Sequence, residues 1–369
     1  MSQDDIPFTA LLRSLPATTP FVGPEAIERQ RGRTFEARIG ANESAFGISP
    51  KAAAAMREAV ERISWYGDPE SYDLRQALAA KHGVAMEEIC VGGGIDELLG
   101  LVVRMTVTPD TPVVTSLGAY PTFNYHVAGF GGRLVKVPYV EDREDPESLL
   151  AAVKAEGAPL VYLANPDNPM GTWHQAAAIS DFIAALPQNS LLVLDEAYIE
   201  FAPDGLAPAI DTGDPRVIRM RTFSKAHGMA GARIGYAIAH RELITGLNKI
   251  RNHFGLNRIA QAGALASLGD ADFLAQVAAE VEAGRQDYYA LTRRLGLSAI
   301  PSATNFVAID VGSGERARAI LQALQDENVF IRMPGVAPLD RCIRVSVGRP
   351  EERALFAAAF EKALASLPA

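Results

Sequence analysis

The stretch TFSKAHGMAGARIGY (222–236) holds one lysine, Lys225, with the hydroxyls of Thr222 and Ser224 just before it and Arg233 eight residues after it. A neutral lysine amine is a nucleophile, and an arginine, hydroxyls and glycine-rich backbone beside it can hold an anion. Three other stretches carry groups that complement this pair. In LLVLDEAY an apolar run delivers Asp195, with Tyr198 three residues on. A carboxylate in that place is costly to bury unless it meets a cation or a donor. In YLANPDNPMG two Asn-Pro steps force a tight, non-helical loop that presents the Asn168 amide. In VGGGIDELLG glycines lead into a helix starting near Ile95, so the first backbone N–H groups, at Ile95 and Asp96, form a phosphate cradle. Glu97 stands where a dinucleotide fingerprint needs its third glycine, and no Gly-Lys-Ser/Thr of a P-loop follows. Each stretch taken alone also reads as an ordinary surface charge, cap or turn.

Jointly they describe the needs of one small molecule, pyridoxal 5′-phosphate (PLP). Its aldehyde takes a lysine amine as a Schiff base. Its phosphate takes a helix N-terminus, hydroxyls and an arginine, and its pyridinium nitrogen needs a carboxylate. Its phenolic oxygen takes Asn and Tyr donors, and GAYPTFNYH (118–126) offers a ring to stack on it.

Such groups must be positioned by a scaffold, and the pattern supplies one. Between about 85 and 240, short apolar runs (88–93, 112–116, 158–164, 190–198, 216–222) alternate with helical segments (95–105, 176–186). Runs such as LLVL lack polar alternation, as strands covered on both faces do. The pattern predicts an α/β domain with a mostly parallel sheet, whose ligands bind beyond the carboxyl ends of the strands. From about 258 the pattern changes to a long helical stretch to 295, broken near Gly269-Asp270. Strand-like 304–310, 329–333 and 342–348 then mix with helical 315–328 and 350–367, as in a smaller α+β domain.

The 369 residues suffice for about two domains. A net charge of −9 argues against nucleic acid or anionic membrane as partner. No run approaches the roughly 20 apolar residues of a membrane span, and the N-terminus has no secretory pattern. Cys90 and Cys342 match no metal spacing and read as buried thiols, so no metal is expected. A cytoplasmic protein follows as the expectation.

These markers resemble those of fold-type I PLP-dependent aminotransferases of the histidinol-phosphate aminotransferase-like group. IGANES, WYGDPESYDLR, VGGGIDELL, YPTF, NPDNPMG, LDEAY, TFSKAHGMAGARIGY, SATNF and CIRVSVG come in the expected order over about 38–352. The resemblance implies a large three-layer α/β/α PLP-binding domain (38–258), a smaller C-terminal α+β domain (259–369), and an N-terminal arm (1–37) packing on the latter. It implies that Lys225 carries the Schiff base and shuttles a proton, that Asp195 pairs with the pyridinium, and that Asn168 and Tyr198 bond the ring oxygen. Phe123 would cover the ring, while Ile95, Asp96, Thr222, Ser224 and Arg233 would hold the phosphate. Tyr66 would reach the partner subunit's phosphate, which implies a homodimer with shared sites. Arg344 would grip the substrate carboxylate, with Asn42 and Asn305 nearby.

The implied reaction is transamination between an L-amino acid and a 2-oxo acid or phosphorylated ketone, with histidinol phosphate and 2-oxoglutarate one such pair. A decarboxylase of the threonine-phosphate type shares the cofactor residues and stays open as the alternative. A PLP-binding regulator and a cofactor-free scaffold are disfavoured by the acidic charge and by the completeness of the site. Some positions depart from the family pattern: Met170 replaces a Thr or Ser, Phe123 a frequent Tyr, and Asn42-Glu43-Ser44-Ala45 the usual Asn-Glu-Asn-Pro. His227 reads as a packing or hydrogen-bonding residue. The roles of His253, in the basic KIRNHFGLNR, and of Arg332 and Arg349 stay open.

Overall fold

The computed structural model describes residues 6–17 and 22–367. Its strands are β1 (Ala37–Arg38), β2 (Ile89–Gly92), β3 (Pro112–Ser116), β4 (Arg133–Val137), β5 (Leu160–Ala164) and β6 (Leu191–Asp195). They continue with β7 (Val217–Thr222), β8 (Gly235–Ala239), β9 (Ser298–Ala299), β10 (Phe306–Asp310), β11 (Val329–Phe330) and β12 (Cys342–Ser346). A seven-stranded sheet runs β2-β8-β7-β6-β5-β3-β4. Only β8 opposes its neighbours; the remaining pairs are parallel. The sheet is thus mostly parallel, as the unalternated apolar runs require.

Successive residues of each central strand feed opposite faces. Leu160 and Tyr162 of β5 pack into one cluster with the helices Ile95–Thr106 and Arg241–Ile250. Val161 and Leu163 pack into another with Pro146–Glu156 and Ala176–Ala185. Helices on both faces bury the sheet and make three layers.

Two strands of the large sheet escaped the sequence pattern, as did the two-residue β1 and β9. β4 lies at the sheet edge, and its Arg133 and Lys136 break the apolar run. β8, Gly-Tyr-Ala-Ile-Ala, is built of small residues and reads as a continuation of the glycine-rich loop before it. It is fully buried between β2 and β7 because its partners cover both edges. The strand read over 190–198 stops at Asp195, where the chain turns toward Tyr198.

The C-terminal part centres on the antiparallel sheet β12-β10-β9. The helices Ala271–Arg294, Gly314–Asp326 and Pro350–Ser366 cover it in one apolar cluster. The helical stretch beginning at 258 breaks at Gly269-Asp270 as expected, into Arg258–Leu268 and Ala271–Arg294. The chain before β1 is tied to this part: Arg31 donates to Asn328 Oδ1 at 3.0 Å, and Arg332 Nη2 donates to the Val22 carbonyl at 2.7 Å. Leu11, by contrast, rests against Gly131, ahead of β4. Among the described residues no helix is long and apolar enough to cross a membrane.

Candidate active site

The carboxyl ends of β2, β3, β5, β6 and β7 share one edge of the large sheet. Lys225 follows β7, Asp195 ends the adjacent β6, Asn168 follows β5, and the helix Ile95–Thr106 starts just after β2.

Lys225 Nζ donates to the Asn42 carbonyl at 3.0 Å and lies 5.5 Å from the centre of the Tyr198 ring. Burial, helped by the Arg344 charge, lowers its amine to about 8. The neutral, nucleophilic form is therefore accessible near neutrality. Asp195 is buried, accepting from Tyr162 OH at 2.8 Å and from the Ala197 amide at 3.0 Å. Desolvation is the largest cause that raises it to about 6. A buried carboxylate held by two donors and facing no arginine or lysine among the described residues is the partner a pyridinium N–H needs.

Tyr198 OH receives Asn42 Nδ2 at 3.0 Å and Asn168 Nδ2 at 3.5 Å, and burial pushes it up to about 12. Asn168 Oδ1 accepts from Arg344 Nη1 at 2.6 Å. Arg344 is half-buried on β12 over the Phe306 ring, and its buried Nε has no hydrogen-bond partner. A half-buried guanidinium with an unused donor is complementary to an incoming carboxylate or phosphate. Asn305 Nδ2 donates to the Asn42 and Glu43 carbonyls at 3.1 and 3.2 Å, while its own Oδ1 is buried without a partner.

At the other side of Lys225 the helix starting at Ile95 has Gly94 as its N-cap, at φ 90° and with no side-chain cap. A Cβ at Gly94 would run into Arg233 Nη2, and one at Gly235 would lie 3.0 Å from Ile95 N. Glycine keeps this approach open at both positions. Arg233, itself at φ 56°, donates to Ser224 Oγ at 3.4 Å and pairs with Asp96 Oδ2 at 3.4 Å. Thr222 Oγ1 bonds Ser224 Oγ at 2.9 Å. Uncapped N–H groups, two hydroxyls and a half-exposed arginine make a fitting phosphate cradle.

Two residues stand apart from this cluster. Phe123 is 0% exposed and stacks on Tyr162 with centroids 4.8 Å apart, so it reaches the cluster through the tyrosine that holds Asp195. Tyr66 is 77% exposed and lies against Phe254, away from Lys225 of its own chain.

Sequence reasoning missed Tyr162, although a lone tyrosine in the apolar strand LVYLA signals a hydroxyl that must find a partner. It also missed Ser346, whose Oγ donates to Asn42 Oδ1 at 3.2 Å and accepts from Asn42 N at 3.0 Å. Glu196, next to Asp195, is buried between Arg219 and Arg221. His227 bonds Ser267 Oγ at 2.7 Å and packs on Phe223; burial lowers it to about 3, so it stays neutral. Arg349 Nε donates to the Ala45 carbonyl at 2.7 Å, and His253 is exposed. Arg332 and Arg344 exchange backbone hydrogen bonds at 3.2 and 2.6 Å, which brings both to one side of β12. Among the described residues no cluster of His, Cys, Asp and Glu is placed to hold a metal ion.

Known proteins resemble this chain along nearly its whole length. The model of the family "Aminotransferase class I and II" matches residues 37–360. Histidinol-phosphate aminotransferase 2 of Carboxydothermus hydrogenoformans is 35% identical over 94% of this chain and 96% of its own. Histidinol-phosphate aminotransferase of an Anaeromyxobacter species is 38% identical over 92% and 95%. The crystal structure of histidinol-phosphate aminotransferase from Sinorhizobium meliloti in complex with pyridoxal 5′-phosphate is 54% identical, covers 98% of both chains and superposes with a TM-score of 0.95. With a lysine, an unpaired buried carboxylate and an anion cradle at one sheet edge, and with this match along nearly its whole length, the chain belongs to the class I and II aminotransferases.

Proposed function

We propose that the protein is a PLP-dependent transaminase whose substrate pair is L-histidinol phosphate and 2-oxoglutarate. The observation that carries the cofactor is Asp195, buried one strand away from Lys225 with donors but no cation. The substrate pair is supported by relatives named for histidinol phosphate at 35–54% identity. None of those names favours the decarboxylase alternative.

When bound, PLP supplies an electron sink for the carbanion at substrate Cα. Lys225 would provide the amine that holds the cofactor and would move a proton at substrate Cα. Asp195 would pair with the ring nitrogen, Asn168 and Tyr198 would bond the ring oxygen, and Phe123 would support the ring side through Tyr162. The N–H groups of Ile95 and Asp96, with Thr222, Ser224 and Arg233, would hold the phosphate. Arg344 binds the substrate anion, Arg332 lies beside it for a second one, and Asn42 and Asn305 close the site. One anion site that accepts a phosphate or a carboxylate suits both members of the pair.

The same reading takes Tyr66 as a residue of the neighbouring subunit's site in a homodimer. Val60, Ile63, Trp65, Tyr66 and Phe254 form an exposed apolar patch that a second copy would cover. The arm (1–37), large domain (38–258) and small domain (259–369) remain our division of the chain. Two buried free thiols suit a cytoplasmic setting.

Borohydride reduction of the PLP-loaded protein, followed by peptide mapping, tests the cofactor role; label anywhere but Lys225 sinks it. Single-turnover conversion by L-histidinol phosphate, glutamate and aromatic amino acids tests the substrate. Faster conversion by an aromatic amino acid, or release of carbon dioxide, would overturn the assignment.

A further inference from the structure

Tyr198 lies at the end of two short hydrogen-bond arms, and both start on β12. Arg344 and Ser346 are two residues apart on that strand, so they share one face. The first arm runs from Arg344 Nη1 to Asn168 Oδ1 at 2.6 Å, and from Asn168 Nδ2 to Tyr198 OH at 3.5 Å. The second runs from Ser346 Oγ to Asn42 Oδ1 at 3.2 Å, and from Asn42 Nδ2 to Tyr198 OH at 3.0 Å. Ser346, Asn42 and Tyr198 are all buried, so their polar atoms must be satisfied within the protein.

The direction of each arm follows from what its first member can do. A guanidinium only donates, which turns Asn168 Oδ1 toward Arg344 and leaves its NH2 for Tyr198. Ser346 Oγ accepts from the Asn42 backbone amide at 3.0 Å, and its single proton goes to Asn42 Oδ1. With Oδ1 engaged, the NH2 of Asn42 faces Tyr198. Turned over, Asn42 would leave the Ser346 proton without an acceptor among the described residues. Tyr198 OH thus receives two N–H donors, and its own proton stays free of any acceptor among the described residues.

The second arm is held at both ends. Ser346 N donates to the Ile39 carbonyl at 2.8 Å, and the Ser346 carbonyl accepts from Tyr288 OH at 2.9 Å. The Asn42 carbonyl accepts from Asn305 Nδ2 at 3.1 Å.

We propose that Ser346 is a positioning residue: acting through Asn42, it keeps the Tyr198 proton available to the ring oxygen of bound PLP and so stabilises negative charge on that oxygen. The proposal rests on the PLP reading above. Burial pushes the Tyr198 phenol up to about 12, so the proton is present throughout the working range. Without the Ser346 hydroxyl, the Asn42 amide can turn over and present Oδ1 to Tyr198. The phenol then donates to Asn42 in competition with the ring oxygen. A charged oxygen that loses a donor is less stable, so the bound cofactor gives up its proton at higher pH. One neutral hydrogen bond corresponds to a rise of roughly half to one pH unit.

The test reads the pH midpoint of the bound cofactor's absorbance in full-length, PLP-loaded protein without substrate, and needs no turnover. Ser346→Ala should raise the midpoint by roughly half to one pH unit. Ser346→Thr keeps the hydroxyl and should restore the wild-type midpoint. Lys225, Arg344, Asp195 and Asp167 are the charged groups acting on Tyr198, and these substitutions alter none of them. Tyr198→Phe removes the donor itself and should raise the midpoint at least as far. Adding Ser346→Ala to Tyr198→Phe should then give no further rise, whereas a general loosening of the site would add to it.

A Ser346→Ala midpoint equal to wild type overturns the proposal, and so does a rise that persists in full on top of Tyr198→Phe. Should Ser346→Ala fail to fold, Ser346→Cys keeps the side chain's shape with only a weak S–H donor. Its midpoint should rise in the same direction, and an unchanged value is equally fatal. Failure of the PLP reading would appear separately, as wild-type protein that develops no lysine-bound cofactor absorbance at any pH.

Discussion

The backbone carbonyl of Asn42 accepts the Lys225 ammonium at 3.0 Å across 183 residues of sequence. Asn42 is buried at φ 56°, and its side chain bonds Tyr198 OH and Ser346 Oγ. The small sheet is thereby fastened to the nucleophile that ends a strand of the large one.

Lys225→Ala is expected to fold, to bind PLP without covalent capture, and to lose at least about 10²–10⁴-fold in turnover. Capture of PLP by wild type should accelerate with pH and level off above about 8, where burial has placed the amine's titration. Stopped-flow absorbance at a series of pH values checks both; capture already level at pH 6 would contradict the lowered amine.

Asp195→Asn separates function from stability. Turnover should fall roughly 10²–10³-fold for loss of the ring-nitrogen partner. The cofactor-free variant should nevertheless be more stable than wild type at pH 7. The folded carboxyl titrates at about 6 against 3.8 unfolded, so ionisation costs the fold stability as pH rises through that window. Up to about 3 kcal/mol is recovered at pH 7 and none below pH 3. Urea unfolding of cofactor-free protein at both pH values measures the difference.

Arg344→Lys should raise KM for the amino donor about 10- to 100-fold, because a point charge replaces two forked donors. kcat should change less if the contact is made equally in ground and transition states. Steady-state kinetics with glutamate decide it, and a variant with wild-type KM would remove Arg344 from the substrate site.

Glu196→Ala leaves the buried Arg219 and the partly buried Arg221 without their shared carboxylate. Stability should drop by ~3–5 kcal/mol at pH 7. The Arg221 and Arg219 charges and hydrogen bonds hold Glu196 below its ordinary value despite burial. Its contribution is therefore present above pH 4.5 and fades as pH falls through the folded value. Denaturant midpoints at pH 7 and at acid pH compare the two regimes.

Local chemistry was enough to single out Lys225, Asp195, Asn168, Tyr198 and the Ile95 helix start, because each follows an apolar strand at a point where a polar group is out of place. The same rule could not find β8, whose small residues carry no periodic signal, nor β4, whose edge position tolerates charge. Chain order and alternation thus determined a mostly parallel sheet with its reactive groups at one edge. Which groups touch was decided only by the tertiary structure. Asn42 reaches Lys225 and Asn168 reaches Arg344 through contacts between distant segments, and no local pattern encodes those. The physical reason is that hydrogen bonding and desolvation depend on the finished packing: the amine at 225 and the carboxyl at 195 acquire their shifted titrations only once water is gone from around them.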